Sequence, residues 1–263
     1  YADFVQRDLD GRLDLRVAGS YWTRSESDDP HVVVAALADW NARLRSPHVS
    51  IAHCKMWADG TMFSGGSLLL QPSCGAHPSV GRMTFSRGHI AAQVRAVQEA
   101  GFDMHIHVDG DGSARTVLDA YQDVQEQIGR GSSRHAIAHN TLVSPDDIPR
   151  YAQLGLIANC TPLWGTDYHG QYRQIYTDLL GAERVEEGVM PYGDLVRSGA
   201  TVTYGADLPG VDVDEVPPLI QIEAAVTRKR PGFPDDAPFV PRQRVGLADA
   251  LRAYTINGAY QLR

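Results

Sequence analysis

Short apolar runs alternate along this chain with segments in which apolar residues recur at intervals of three and four. The two periods together predict a parallel α/β fold. Strands are expected over residues 12–18 (RLDLRVA), 49–57 (VSIAHCKMW), 102–108 (FDMHIHV), 134–139 (RHAIAH), 156–160 (LIANC) and 200–205 (ATVTYG). Between them, Ile90, Val94 and Val97 mark a helix that stops at Gly101, and Val117, Leu118, Tyr121, Val124 and Ile128 line one face of a second. A third helix is expected to open at Ser144-Pro145-Asp146-Asp147, a capping box with proline at the first helical position, and to end at Gly155. Leu219, Ile222 and Val226 mark a fourth helix, and Leu247, Leu251 and Tyr254 a last one. The Pro- and Gly-rich stretches 71–83 and 229–242 read as loops, because the same rhythm resumes after each, so residues 1–263 are taken as one domain.

Composition narrows the function classes. With 43 % hydrophobic and 21 % charged residues the chain is of ordinary globular type, and its net charge of −8, with no run of Lys or Arg, argues against a nucleic-acid partner. Cys54, Cys74 and Cys160 form neither a disulfide framework nor a zinc-type pair, which points to a reducing, cytoplasmic setting. No apolar stretch approaches the roughly 18 to 20 residues of a membrane span, so no membrane partner is expected.

Four polar residues stand out because each sits at or just beyond the end of a different expected strand: Lys55, His107, His139 and Asp207. In a parallel sheet those ends lie side by side, and in a (β/α) barrel that is where catalysis takes place. Neutral imidazole together with carboxylate suits Zn²⁺ or a similar divalent ion, and a carboxylate sharing the ion's water can take its proton, which makes Asp207 the candidate general base. Plainer readings compete. Asp207 is also suited to a turn before Pro209, and Lys55 to a solvated strand end. His53, His89, His135 and His169 read as ordinary packed or surface residues, Asp59 and Asp111 as turn formers or supports for a ligand, and Cys160 as a packed strand residue. Trp164, Tyr168 and His169 fall in a loop that either lines a pocket or is simply a loop. No G-x-S-x-G elbow or dinucleotide fingerprint is present.

The segments CKMWADGT, MHIHVDGDGSA, AIAHNTLVSPDDIPRYAQLG and TYGADLPG, in this order, resemble the metal-dependent amidohydrolases of the amidohydrolase-3 group, which includes N-substituted formamide deformylases. The ending LADALRAYTINGAYQL is similar to that family's closing helices, so the resemblance covers nearly the whole chain. It implies a (β/α)8 TIM barrel of metallo-dependent hydrolase type and a metal set of Lys55, His107, His139 and Asp207, holding one or two zinc or other divalent ions in the complete protein. Lys55 would then be carboxylated, turning a cation into an anionic oxygen ligand. His105 and His107 face the same side of their strand; the pair fits the family's fifth strand, with His107 the ligand and His105 behind it. Counting from Asp207 on strand eight places Ile157 on seven, His139 on six, Lys55 on four and Leu15 on three. Strands one and two, the first-strand His-x-His and the family's small β-sandwich are then expected to be missing from these 263 residues. The implied activity is hydrolysis of a C–N bond in a small amide or formamide-like substrate, with Asp207 as base and then acid; a catalytically silent binding or regulatory protein, or an inactive fragment, is the second reading. The unpaired edges at residues 12–18 and 200–205 predict self-association.

Overall fold

The computed structural model describes residues 1–263. Its centre is a six-stranded, all-parallel sheet in sequential order: β1 (Val17–Trp22), β2 (Val49–Trp57), β3 (Asp103–Val108), β4 (Ala136–His139), β5 (Ile157–Cys160) and β6 (Thr201–Tyr204). Helices occupy the connections: α1 (Ala2–Leu9), α2 (Pro30–Arg43), α3 (Arg87–Glu99), α4 (Asp111–Ile128), α5 (Ile148–Leu154), α6 (Tyr172–Leu180), α7 (Ala182–Gly188), α8 (Tyr192–Arg197), α9 (Pro218–Thr227), α10 (Leu247–Tyr254) and α11 (Ile256–Leu262). No helix is long and apolar enough to cross a membrane. The sheet is open, with β1 and β6 each paired on one side only.

Five of the six expected strands lie within two residues of their observed bounds. The first does not: residues 12–16 are irregular, Leu15 is exposed, and the strand runs on through Gly19 to Trp22. Gly19 is tolerated in mid-strand because the Tyr1 ring lies across it, where a Cβ would come within 2.6 Å. The third helix also differs. Ser144 accepts the Asp147 amide through its backbone carbonyl, so residues 145–147 form a turn, and α5 begins at Ile148 with Pro149 in its first turn. The Asp147 carboxylate is drawn instead to Arg115 (2.9 Å) and Arg150 (3.0 Å). The exit at Gly155 is as expected, with φ 64°.

Two features of the sheet position the site. In β2, one extra residue opposite Gly19/Ser20 forms a bulge. Such an insertion reverses the alternation of faces. Val49 and Ile51 pack inward before it, and Cys54, Met56 and Ala58 after it, so Lys55 and Trp57 face the cavity at the strand ends. The sheet is also curled. In a flat sheet β2 and β6, four strand spacings apart, would stand roughly 19 Å from one another at about 4.8 Å per step. Yet Lys55 after β2 and Asp207 after β6 line one cavity and feel each other's charge. The helices cover the convex face through a continuous cluster of 46 buried residues that includes Leu37, Ile90, Val117 and Tyr151.

Candidate functional site

Lys55, His107, His139 and Asp207 come together at the carboxyl ends of β2, β3, β4 and β6, lining a cavity of about 420 Å³. The imidazoles of His107 and His139 meet edge to face with centroids 4.5 Å apart, and His139 Nδ1 is 3.9 Å from Asp207 Oδ2. His107 Nε2 and His139 Nδ1 are buried and have no hydrogen-bond partner in the protein. Burial lowers the pKa of both rings, and the neighbouring Lys55 adds to the effect, so both are neutral near pH 7. A neutral imidazole is the form that binds a cation. Burial also pushes Lys55 down to about 8, an effect that Asp207 partly opposes, and raises the Asp207 carboxyl, an effect that Lys55 partly opposes. The side chains as they stand contain no group of three or more His, Cys, Asp or Glu arranged to hold a metal ion. The four residues thus converge on one cavity without forming a closed ligand cage.

The turns that aim these groups are built with care for their hydrogen bonds. His139 and Asn140 both adopt positive φ (74° and 55°), as does Asp207 (57°). Asn140 holds its turn by donating Nδ2 to the carbonyls of Ile137 (3.0 Å) and Asn159 (3.2 Å), while Oδ1 accepts from the buried Tyr151 hydroxyl (2.7 Å). Asp59 is more than the turn former expected from its following glycine. It is fully buried and accepts from the Asp109 and Gly110 amides (3.0 Å each), the Ser113 hydroxyl (2.5 Å) and the Leu68 amide (3.3 Å). Burial, followed by the Asp109 charge, raises its carboxyl to about 7. Asp59 Oδ1 lies 3.7 Å from His107 Nε2, so this knot ties the loops after β2 and β3 together directly behind one imidazole. Gly110 is required there, because a Cβ would stand 2.0 Å from the Leu68 carbonyl oxygen. Asp111, at the start of α4, accepts from the Leu70 amide (2.9 Å) and likewise fastens the loop.

Aromatic rings form the walls. Trp57 stacks on His107 (5.1 Å, 18°) and Trp164 on His139 (5.5 Å, 18°). Phe63, Tyr172 and Tyr176 make another wall, and Asp109 also lines the cavity. Of the loop residues considered from sequence, Trp164 is in the cavity, whereas Tyr168 is buried beside it with its hydroxyl on Glu215 Oε2 (2.7 Å), and His169 lies outside the lining. His53 and His135 sit low in the sheet, His89 stacks on Phe85 (5.4 Å), His105 is buried behind His107, and Cys160 is a buried free thiol. Sequence reading missed Trp57, Phe63, Asp109, Tyr172 and Tyr176. Trp57 had a signal, since it stands two residues after Lys55 and so shares its face. Phe63 and the two tyrosines reach the cavity from a loop and a helix with no periodic signature.

Comparison with known proteins follows this geometry. Residues 7–263 match the profile of the Amidohydro_3 amidohydrolase family. Protein LONG AFTER FAR-RED 3 of Arabidopsis thaliana is 26 % identical over 205 residues, covering 78 % of this chain and 34 % of that protein. N-substituted formamide deformylase of Arthrobacter pascens is 24 % identical over 193 residues, covering 73 % of this chain and 33 % of that enzyme. The chain therefore spans about a third of the length of these two relatives. In structure, an uncharacterized metal-dependent hydrolase from Pyrococcus horikoshii superposes with a TM-score of 0.75 at 21 % identity, over 98 % of this chain and 48 % of that one. Atrazine chlorohydrolase from Arthrobacter aurescens, complexed with zinc, gives 0.54 at 16 % identity, over 98 % and 51 %.

Proposed function

The chain belongs to the amidohydrolase family, and from that premise we propose that it supplies the site of a metal-dependent hydrolase acting on an amide- or formamide-type C–N bond of a small molecule. The observation that carries this reading is the convergence of His107, His139, Asp207 and Lys55 on one cavity, with the buried His139 Nδ1 left without a hydrogen-bond partner 3.9 Å from Asp207 Oδ2. Burying polar atoms without partners costs free energy unless something else satisfies them. A divalent cation held by His107, His139, Asp207 and Lys55 is the ligand these donors fit, and zinc is the first choice for two imidazoles and a carboxylate. In this reading the curled sheet is part of a (β/α)8 barrel, whose strand ends carry the chemistry.

When bound, the cation supplies Lewis acidity toward the substrate carbonyl and activates water. The chain's own residues do the rest. Asp207 takes a proton from the attacking water and returns it to the departing nitrogen, a role favoured by a carboxyl whose pKa lies above the ordinary value. Asp59 and the Trp57 ring fix the plane of His107, and the Asn140 turn and Trp164 fix that of His139. Carboxylation of Lys55 needs its free amine. A pKa near 8 leaves about half of it unprotonated at pH 8, against roughly 0.3 % for an ordinary lysine near 10.5.

The lack of a ready-made set of three ligands favours a second reading, a catalytically silent binding protein. One experiment separates the two. Protein loaded with zinc in bicarbonate buffer is dialysed, its metal content is measured, and hydrolysis of N-alkylformamides is assayed. The hydrolase reading expects bound metal that is lost in His107→Ala and His139→Ala, and turnover abolished in Asp207→Asn with the fold intact. Protein that retains no metal under these conditions supports the silent reading.

A further inference from the structure

One part of the cavity lining has chemistry that hydrolysis does not use. Phe63, Tyr172 and Tyr176 pack with centroids 5.2 to 5.6 Å apart, and Phe63 nevertheless remains 48 % exposed. Asp109 lines the same cavity and is only 7 % exposed. Both hydrogen bonds to its side chain, from the Met62 amide (2.5 Å) and the Ser67 hydroxyl (3.1 Å), go to Oδ2, which leaves Oδ1 without a protein donor. The Asp109 charge reaches the tyrosines: burial first, and then Asp109, holds the Tyr172 phenol up at about 12.

A carboxylate oxygen with no protein donor on a largely buried side chain, beside aromatic rings, is the chemistry that selects a cationic nitrogen. An anionic substituent would meet Asp109 and Asp207, with Lys55 as the one cationic side chain of the lining and no arginine. A neutral apolar substituent would cover the rings and strand Oδ1 away from water without a partner. We infer that the substrate carries an ammonium or quaternary ammonium group apart from its scissile amide, bound by Asp109 Oδ1 and the rings of Phe63 and Tyr172. The scissile bond in this statement rests on the hydrolase reading above; the cation subsite does not.

The test is therefore a binding experiment. Choline and 3,3-dimethylbutan-1-ol, its uncharged isostere, are titrated into the protein while tryptophan fluorescence is followed, since Trp57 and Trp164 line the cavity. Choline is expected to bind at least about tenfold tighter, with each tenfold step equivalent to about 1.4 kcal/mol. Asp109→Asn should remove that preference. Phe63→Leu, which keeps an apolar side chain but no ring, should weaken choline several-fold and leave the alcohol unchanged; circular dichroism establishes that each variant is folded. Equal affinities, no binding of choline, tighter binding of N-acetylglycine than of choline, or an unchanged preference in both variants overturns the inference. Hydrolysis of N-(2-aminoethyl)acetamide and N-butylacetamide by zinc-loaded protein is measured in parallel. A choline preference without any turnover refutes the hydrolase reading alone, and turnover of the neutral amide without a choline preference refutes the cation subsite alone.

Discussion

His135 offers a quantitative check of the fold that does not depend on any ligand. Its ring is buried at the base of the sheet, where Nδ1 accepts from the Met104 amide (2.9 Å) and Nε2 faces Gln98 Oε1 (3.2 Å). An acceptor at Nδ1 requires the neutral ring with its proton on Nε2. Burial is the main cause that drives its pKa from 6.5 down to about 4; Asp103 opposes this, and Arg263 and His53 add to it. The unfolded chain therefore binds a proton more readily than the folded one. The stability contributed by neutral His135 is fully present above pH 6.5 and is lost as pH falls toward 4. At about 1.36 kcal/mol per unit, the whole loss is about 3 kcal/mol, of which about 2 kcal/mol falls between pH 7 and pH 5. Other buried histidines titrate in the same direction, so the clean measurement is a difference. Urea unfolding of wild type and His135→Gln is compared at pH 7 and pH 5. The variant starts less stable because it loses the Met104 and Gln98 bonds, and the gap should narrow by about 2 kcal/mol at pH 5. A gap constant within about 0.5 kcal/mol, or a folded-state His135 that titrates near 6.5 by NMR, refutes the reasoning.

Three further outcomes are expected. Gly110→Ala should destabilise the fold by about 3 kcal/mol, because its Cβ meets the Leu68 carbonyl and breaks the Asp59 knot; a thermal melt within a degree or two of wild type would show the contact to be soft. Tyr151→Phe should cost about 1 to 2 kcal/mol by leaving Asn140 Oδ1 buried without its donor, and should weaken zinc binding by misaiming His139; unchanged zinc affinity by calorimetry would uncouple that turn from the site. Residues 1–263 produced alone should self-associate through the open edges of β1 and β6, and a monodisperse monomer in sedimentation would count against this.

Strands β2 to β6 could be read from the sequence because each is a short apolar run, buried on the face that meets the helices, with a polar residue at its carboxyl end. The four candidate ligands could be read for the same reason. What failed has identifiable causes. Residues 12–16 alternate as a strand does, but Leu15 meets solvent, and the true strand contains a glycine that propensity argues against. Helix α1 buries no residue, and its eight residues are too few to stand out as a periodic segment although it is amphipathic. The Ser144 segment has the letters of a capping box, yet Asp147 pairs with Arg115, 32 residues away, and with Arg150, three residues on. Asp59 reads as a turn because Asp-Gly usually is one, and nothing local announces that four donors from three other segments will converge on it. The aromatic wall depends in the same way on tertiary placement, which a periodicity does not encode.

The left-handed turns at His139 and Asp207 have a further meaning. Outside glycine, and to a lesser degree asparagine and aspartate, that backbone region is a conformation in which a side chain costs roughly 1 kcal/mol or more. His139 therefore occupies a place where a chain shaped for sturdiness alone would carry glycine, while Asp207 is of a type that tolerates it. Exchanging His139 for glycine would relax the backbone and delete a donor in the same step. Among variants chosen only for resistance to heat, the site would be among the first things to disappear, and the melting temperature would rise as it went. For this chain, gains in robustness at the strand ends are warnings about function, and stability screens applied there would select against the chemistry.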